Sequence, residues 1–296
     1  MGCTLCPRAC GADRNAGGVG ICGVDNKIKI ARAAPHMWEE PPISGTRGSG
    51  TVFFSGCPLG CVFCQNRVLS REHFGTEVSP EHLTEIFFEL KDKGVHNINL
   101  VTPTHYSAVL IPILRRIKTE LGLPTVYNCG GYESVDTLRA LEGLVDIYLP
   151  DFKYASPSLS EKYSAASDYP EVASAALTEM HRQCGEAVFD DDGLMKRGVI
   201  VRHLVLPGQY RDSIEVLRKI AKLVPIQDIK ISLMRQFTPD FVDKAAYPEL
   251  CRRLTTFEYQ KVIEEASRLG FDGYVQDAAS ASAIYTPDFD LTGVTI

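Results

Sequence analysis

The sequence lacks any apolar run near the roughly 20 residues that cross a bilayer, and its first ten residues, MGCTLCPRAC, hold no apolar signal-peptide core. Both absences point to a cytoplasmic chain with no membrane partner. Excess positive charge is also missing. Lys and Arg number 31 against 37 Asp and Glu, for a formal net charge of −6, and no basic block occurs. A nucleic-acid partner is therefore not expected. No G-x-G-x-x-G follows the first barrel-like strand, which argues against a dinucleotide-binding fold. What the chain does have is a globular composition, 45% hydrophobic and 23% charged over 296 residues, enough for one α/β barrel.

Ten cysteines stand out. A reducing compartment makes a disulfide framework the wrong explanation. Seven of the ten fall in the first 64 residues: Cys3, Cys6, Cys10, Cys22, Cys57, Cys61 and Cys64. Clustered thiols in such a compartment point to metal. Cys129, Cys184 and Cys251 are scattered and read as core residues.

Residues 1–49 read as a Cys- and Gly-rich N-terminal extension, with a short strand at Ile28–Ala31 and a Pro/Gly connector through Pro41-Pro42 and Gly45–Gly50. Residues 50–296 alternate strand and helix patterns. Strand-like runs occur at Thr51–Phe54, Ile98–Val101, Thr125–Asn128, Asp146–Leu149, Val199–Leu206, Ile229–Leu233 and Gly273–Gln276. Between them, apolar residues recur at helical spacing, as in Leu83, Ile86, Phe87 and Leu90 after the Ser79-Pro80-Glu81 start signal. Tyr169–Cys184 reads as a further helix. About six such units predict parallel strands with right-handed crossovers. The expected fold class is α/β: a partial, open (β/α)6 TIM-type barrel with the small Cys-rich extension in front. Functional residues belong just after the strands' C-terminal ends.

Directly after Thr51–Phe54 comes Ser55-Gly56-Cys57-Pro58-Leu59-Gly60-Cys61-Val62-Phe63-Cys64-Gln65-Asn66, a C-x3-C-x2-C loop. Structural zinc sites want four ligands, and ordinary iron–sulfur carriers close all their iron positions with Cys. Three thiolates leave one iron open, and an open iron can bind and activate a ligand.

This loop after a barrel strand resembles that of the radical S-adenosylmethionine (SAM) superfamily. There, three Cys hold a [4Fe-4S] cluster whose open iron chelates SAM, and reduction yields a 5′-deoxyadenosyl radical that abstracts hydrogen. Within the superfamily the chain looks most like the pyruvate formate-lyase activating enzyme group, in a branch with an extra N-terminal Cys motif. Cys64-Gln65-Asn66 resembles that group's Cys-x-Asn, Asp151-Phe152-Lys153 its Asp-x-Lys, and Arg202 through Pro207-Gly208 its Arg-x-x-x-x-Pro-Gly. Asn128 falls in Tyr127–Gly131, where the group has a turn beside the ribose. The resemblance implies that Arg202 reaches the SAM carboxylate, that Asp151, Lys153 and Asn128 hold the rest of the cofactor, and that Phe63 packs against adenine or cluster. It also implies a reductant such as flavodoxin or ferredoxin, and a glycyl-radical enzyme as the activated partner. For Arg202, an internal pair with a barrel acid is the competing reading; for Asp151 and Lys153, a plain salt bridge.

Two departures matter. The Gly-Gly-Glu that many relatives carry after the second barrel strand is replaced by Val101-Thr102-Pro103-Thr104-His105-Tyr106. Thr102 and Thr104 are the replacement candidates for the SAM ammonium, with His105 and Tyr106 as substrate contacts. The sixth-strand His is also missing, and the segment Ser232–Phe237 offers Arg235 or Gln236 in its place. Substrates other than a glycyl-radical enzyme, either a small molecule or a peptide, therefore stay open, as does a non-catalytic iron–sulfur or zinc protein that transfers electrons or binds a partner. Cys3, Cys6, Cys10 and Cys22 have C-x2-C-x3-C-x11-C spacing in a segment too poor in apolar residues for a core. They suit zinc as a staple, or a second iron–sulfur cluster as a relay.

Overall fold

The computed structural model describes residues 2–280 and 286–294. Among the described residues one sheet contains ten strands: β1 (Ile28–His36), β2 (Ser49–Phe54), β3 (Thr76–Val78), β4 (Ile98–Val101), β5 (Thr125–Cys129), β6 (Ile147–Pro150), β7 (Val188–Phe189), β8 (Met195–Leu204), β9 (Lys230–Met234) and β10 (Gly273–Val275). The order is β10-β9-β8-β6-β5-β4-β2-β1-β3, with β7 paired only to β8. Seven strands, β2 through β10 without β3 and β7, run parallel. Six crossovers join them. The sheet does not close, so the fold class is the open α/β barrel that the alternation predicts.

The crossover helices form where the apolar stripes fall. Ser79 caps Pro80–Asp92 by accepting from the His82 N–H, and Leu83, Ile86, Phe87 and Leu90 are its buried face. Ser107–Leu121, Tyr169–Cys184, Tyr210–Leu223 and Thr256–Leu269 follow the same logic. Strands β2, β4, β5 and β6 are buried along their whole length, as expected for parallel strands covered on both faces. β8 starts four residues before the sequence pattern suggests, because its first residues form a hairpin with β7 around Asp190–Gly193. No helix among the described residues is long and apolar enough to cross a membrane.

The largest difference from the sequence reading lies before the barrel. The strand expected over Ile28–Ala31 extends to nine residues, because β1 pairs antiparallel with all of β2, from Ile30↔Phe54 to His36↔Ser49. That partner is 13 to 24 residues away and leaves no local signature. Pro35 is tolerated because the other edge of β1 meets β3 only at Ile28–Ile30. His36 therefore leaves β1 beside the first residue of β2, at the N-terminal ends of the barrel strands.

From there residues 37–45 cross under the barrel as its floor. The short helix Pro41–Ser44 carries Ile43, fully buried against Val126, Ile147, Leu149, Met195 and Ile200. Asn97 Nδ2 donates to the Ile43 carbonyl at 2.7 Å, and the Ser44 hydroxyl accepts from the Glu39 N–H at 3.0 Å. Ile43→Ala would leave a cavity with no side chain free to fill it, at a cost of about 2–5 kcal/mol. Chemical denaturation should show that loss as a lower midpoint with an unchanged slope; a midpoint equal to wild type would mean the floor does not hold the barrel.

Candidate active site

The C-x3-C-x2-C loop leaves β2 at its C-terminal end. Gly56 turns it at φ +90°, and a Cβ there would stand 2.8 Å from the Cys22 carbonyl oxygen and 3.0 Å from His105 Nε2. Only glycine suits such a turn. The Cys57 N–H donates to the Cys22 carbonyl at 3.0 Å, and the Cys64 N–H to the Cys61 carbonyl at 3.1 Å. The Ser164 hydroxyl donates to Cys61 Sγ at 3.0 Å. Arg8 Nε donates to the Pro58 carbonyl at 2.9 Å, tying the N-terminal segment to the loop.

All three thiols are free. Burial pushes Cys57 up to about 12, and neighbouring Cys61 and Cys64 add to the effect. Burial and Cys61 raise Cys64 in the same way. Such grouped thiols need a cation to ionise together. Among the described residues no three His, Cys, Asp or Glu side chains converge on one metal-ion position. A structural zinc site takes four ligands, and this loop supplies three; a four-iron cluster held by three thiolates would keep one iron open. Three soft donors in one loop therefore fit a cluster with one iron left open.

Below the loop lies a cavity of about 690 Å³. Cys61, Phe63 and Cys64 line its upper end, and Glu39 and Glu40 its floor. Phe63 packs edge-on to Tyr163 and Phe237, with ring centroids 6.4 and 6.3 Å away. Asn128, Asp151, Lys153 and Arg202 stand on the wall, as the sequence reading groups them, and Gln236 lines it too. Gln236 is held by Gln276, whose Nε2 donates to its Oε1 at 3.1 Å, and its carbonyl accepts from Gln65 Nε2 at 2.7 Å.

The wall residues form one network. Arg202 Nε donates to Asp151 Oδ1 at 3.1 Å, its Nη1 to Glu39 Oε2 at 3.3 Å, and its Nη2 to Asn128 Oδ1. Lys153 Nζ donates to Asp151 Oδ2. Glu39 Oε1 accepts from Asn99 Nδ2 at 2.9 Å and Asn128 Nδ2 at 3.3 Å. Burial works to raise Asp151, yet Lys153 and Arg202 overcome it and hold the carboxyl below its usual range. Burial works to lower Lys153 and Arg202, and the surrounding acids reverse it, so both stay firmly charged. Burial raises Glu39 and Glu40, with Arg202 opposing. The internal pairing weighed for Arg202 and Asp151 is thus present, with two of the five guanidinium N–H groups beyond the three used here.

The Thr102–Tyr106 segment is placed differently. None of Thr102, Thr104, His105 and Tyr106 is among the described lining residues. Thr102 is half-buried, at φ +57°. Thr104 is buried and its hydroxyl donates to Glu133 Oε1 at 2.8 Å. Burial brings His105 down to about 3, and as a neutral ring its Nε2 donates to the Ser55 carbonyl at 2.7 Å. Tyr106 is fully buried and its hydroxyl accepts from the Lys29 N–H at 3.3 Å. His105 and Tyr106 therefore brace β1 and β2 from behind.

Sequence reasoning missed three acids. Glu39 and Glu40 sat in a segment read as connector, where no periodicity marks them. Glu133 is buried and accepts from Thr104 and, at 3.2 Å, from the Tyr127 hydroxyl. Burial raises it to about 7 from 4.5. A raised acid binds more protons folded than unfolded, so its contribution is favourable below pH 4.5 and lost as pH rises through 7. Glu133→Gln should therefore gain stability over wild type above pH 7, by up to about 3 kcal/mol, and the difference should vanish near pH 4.5. Equal pH–stability curves would refute this.

Cys3, Cys6, Cys10 and Cys22 are brought into one region. The sulfurs of Cys10 and Cys22 each lie 3.3 Å from the Cβ position of Gly20. Burial raises Cys6, to about 12, and Cys22, whereas the N–H groups of Ala12 and Ile21 lower Cys10. Cys22 and Val24 join the core beside β1. Arg14 is buried there and donates to the carbonyls of His105 and Asp25. Of the scattered cysteines, Cys129 and Cys184 are buried and Cys251 is half-buried.

Several known proteins share this architecture. The profile of the radical SAM superfamily matches residues 51–221, more than half of the chain. An uncharacterized protein of Methanocaldococcus jannaschii, MJ0674, is 28% identical over 282 residues, covering 91% of this chain and 75% of that one. Among solved structures, Streptococcus suis SuiB bound to S-adenosylmethionine superposes with a TM-score of 0.51 at 12% identity, covering 75% of this chain and 48% of SuiB. The chain thus spans about half the length of SuiB. A radical SAM methyltransferase from Sphaerobacter thermophilus matches with a TM-score of 0.51 at 13% identity, over 79% of this chain and 69% of that one. A spore photoproduct lyase variant matches at 0.50 and 14%, over 75% and 74%. These three likenesses are of fold. The profile match, centred on the strand, loop and cavity described above, carries the conclusion that the chain belongs to the radical SAM superfamily, whose members are enzymes that use a [4Fe-4S] cluster and S-adenosylmethionine.

Proposed function

We propose that Cys57, Cys61 and Cys64 hold the [4Fe-4S] cluster and that SAM occupies the upper part of the cavity beneath them. The observation that carries this is the joining of Cys61 and Cys64, two thiols of the C-x3-C-x2-C loop, and the Asn128–Asp151–Lys153–Arg202 network in one cavity. When bound, cluster and SAM supply one-electron reductive cleavage and a 5′-deoxyadenosyl radical for hydrogen abstraction. The protein's own part is positional. The spare N–H groups of Arg202 suit the methionyl carboxylate, and Asn128 and the charged Asp151–Lys153 pair suit the polar edges of the cofactor. Phe63 gives its aromatic face, and the floor keeps water out from below.

For the substrate, a cavity of this size suits a small molecule or a single side chain of a peptide. SuiB, a fold relative, is known bound to a precursor peptide. Activation of a glycyl-radical enzyme is the reading that the Cys64-Gln65-Asn66, Asp151–Lys153 and Arg202–Gly208 motifs favour. Anaerobic reconstitution with iron and sulfide, followed by dithionite and SAM, should yield 5′-deoxyadenosine. No product above background from a preparation with full iron content would leave a non-catalytic electron carrier or binding protein as the better reading.

We infer that the N-terminal four thiols hold a second iron–sulfur cluster that passes electrons from a flavodoxin or ferredoxin. The hydrogen bond from the Cys57 N–H to the Cys22 carbonyl supports a direct link between the two thiol sets. After Cys57, Cys61 and Cys64 are all replaced by alanine, the protein should retain iron and acid-labile sulfide. Zinc in their place would make the segment a staple and overturn the relay.

A further inference from the structure

The cavity floor holds a carboxyl that its walls do not fully pair. Five acidic or strongly basic side chains line it at floor and mid-height, Glu39, Glu40, Asp151, Lys153 and Arg202, and His36 lines it too, held neutral by burial. Of the five, three are acids and two are bases. Lys153 closes on Asp151, and Arg202 bonds both Asp151 and Glu39. The second oxygen of Glu39 is taken by the amides of Asn99 and Asn128. Glu40 is left over. It is 8% exposed, it lines the cavity, and its Oε2 has no hydrogen-bond partner. A carboxylate buried in this way is strongly unfavourable unless something pairs with it.

The partner's chemistry follows from what surrounds that oxygen. A metal ion needs several converging donors, and among the described residues no three His, Cys, Asp or Glu side chains converge. An anion is excluded by Glu40 itself. An ammonium has three N–H donors and is satisfied by one carboxylate and one or two neutral oxygens. Ser232, buried on the β9 wall of the same cavity, bonds the Glu40 carboxyl through its hydroxyl, whose oxygen is able to accept from an ammonium as well. The position separates this group from the cofactor. Glu40 rises from the floor segment that starts at the N-terminal ends of the barrel strands, whereas the cysteine loop leaves their C-terminal ends.

We infer that the cavity floor is a subsite for an ammonium group of the substrate, with Glu40 as its carboxylate partner and Ser232 beside it. This rests on the proposed reading of the same cavity as a radical SAM site, and it makes the substrate an amine whose carbon chain extends from the floor toward the iron loop. The chain's single tryptophan, Trp38, lines the cavity two residues from Glu40 and reports on it directly.

The test uses the reconstituted protein at fixed ionic strength, with n-butylamine as probe and 1-butanol as its neutral counterpart. Trp38 fluorescence and calorimetry should show saturable binding of n-butylamine and at least ten-fold weaker binding of 1-butanol. Glu40→Gln should weaken the amine at least ten-fold while 1-butanol is unaffected. Equal binding of amine and alcohol to the wild type overturns the subsite without needing any variant, and equal amine affinity in Glu40→Gln overturns the role of Glu40. The same preparation is assayed for 5′-deoxyadenosine. SAM cleavage without amine preference sinks the subsite alone; amine preference without SAM cleavage sinks the radical reading alone.

Discussion

Replacing Cys57, Cys61 and Cys64 together by alanine should abolish 5′-deoxyadenosine formation, to background. The expectation is this complete because, on the proposed assignment, the three thiols are the whole protein ligand set of the cluster. Each single replacement should do nearly the same, since two thiolates cannot hold a cluster that three hold with one iron open. The fold should survive. The loop is anchored by its backbone, through the Cys57 N–H to Cys22 and the Gly56 N–H to the Leu69 carbonyl, and alanine keeps both bonds. The strand before it, β2, is paired on both sides by β1 and β4. Far-UV circular dichroism should therefore match wild type while the visible absorbance of the catalytic cluster is lost. If the triple variant still cleaves SAM, these thiols do not hold the catalytic cluster.

The barrel was legible in the sequence because its information is local. A buried parallel strand is a continuous apolar run, and a covering helix has a 3.6-residue stripe, so Ile98–Val101 and Leu83–Leu90 announce themselves. The cysteine loop was legible because its three thiols sit within eight residues. The wall residues Asn128, Asp151 and Arg202 were found through motifs and lie together in the cavity. The floor was not legible. Glu39, Glu40 and Ile43 derive their roles from β1 pairing with β2 and from a crossing under the barrel, and neither leaves a period in residues 37–45. His105 and Tyr106 are placed otherwise than the sequence suggests. A polar pair after a barrel strand suggests a site, but His105 Nε2 and the Tyr106 hydroxyl bond the backbone of Ser55 and Lys29. Where a side chain points after a strand end is decided by neighbours distant in sequence.

Arg202→Met should cost about 3–5 kcal/mol of stability, the typical loss when one member of a buried charged network is removed. The reason lies in what stays behind. Asp151 keeps Lys153, but Glu39 keeps only two amides, and Glu40 loses the nearest positive charge opposing its burial. The pH dependence has a definite sign. Asp151 is held below its usual range, so its favourable contribution is full above the unfolded carboxyl value and is lost as pH falls through the lower folded value. Without Arg202 the three acids rise toward neutral forms. The deficit of the variant should therefore be greatest near pH 7 and shrink as pH falls toward about 4. Adding Glu39→Gln to Arg202→Met should return part of the loss, about 1–3 kcal/mol, as a non-additive term in a double-mutant cycle. Arg202→Lys separates charge from geometry: it keeps the balance of the network but not the planar fork. It should recover most of the stability and still bind SAM at least ten-fold more weakly than wild type. If Arg202→Lys binds SAM like wild type, the guanidinium serves the wall alone and the cofactor's carboxylate is held elsewhere.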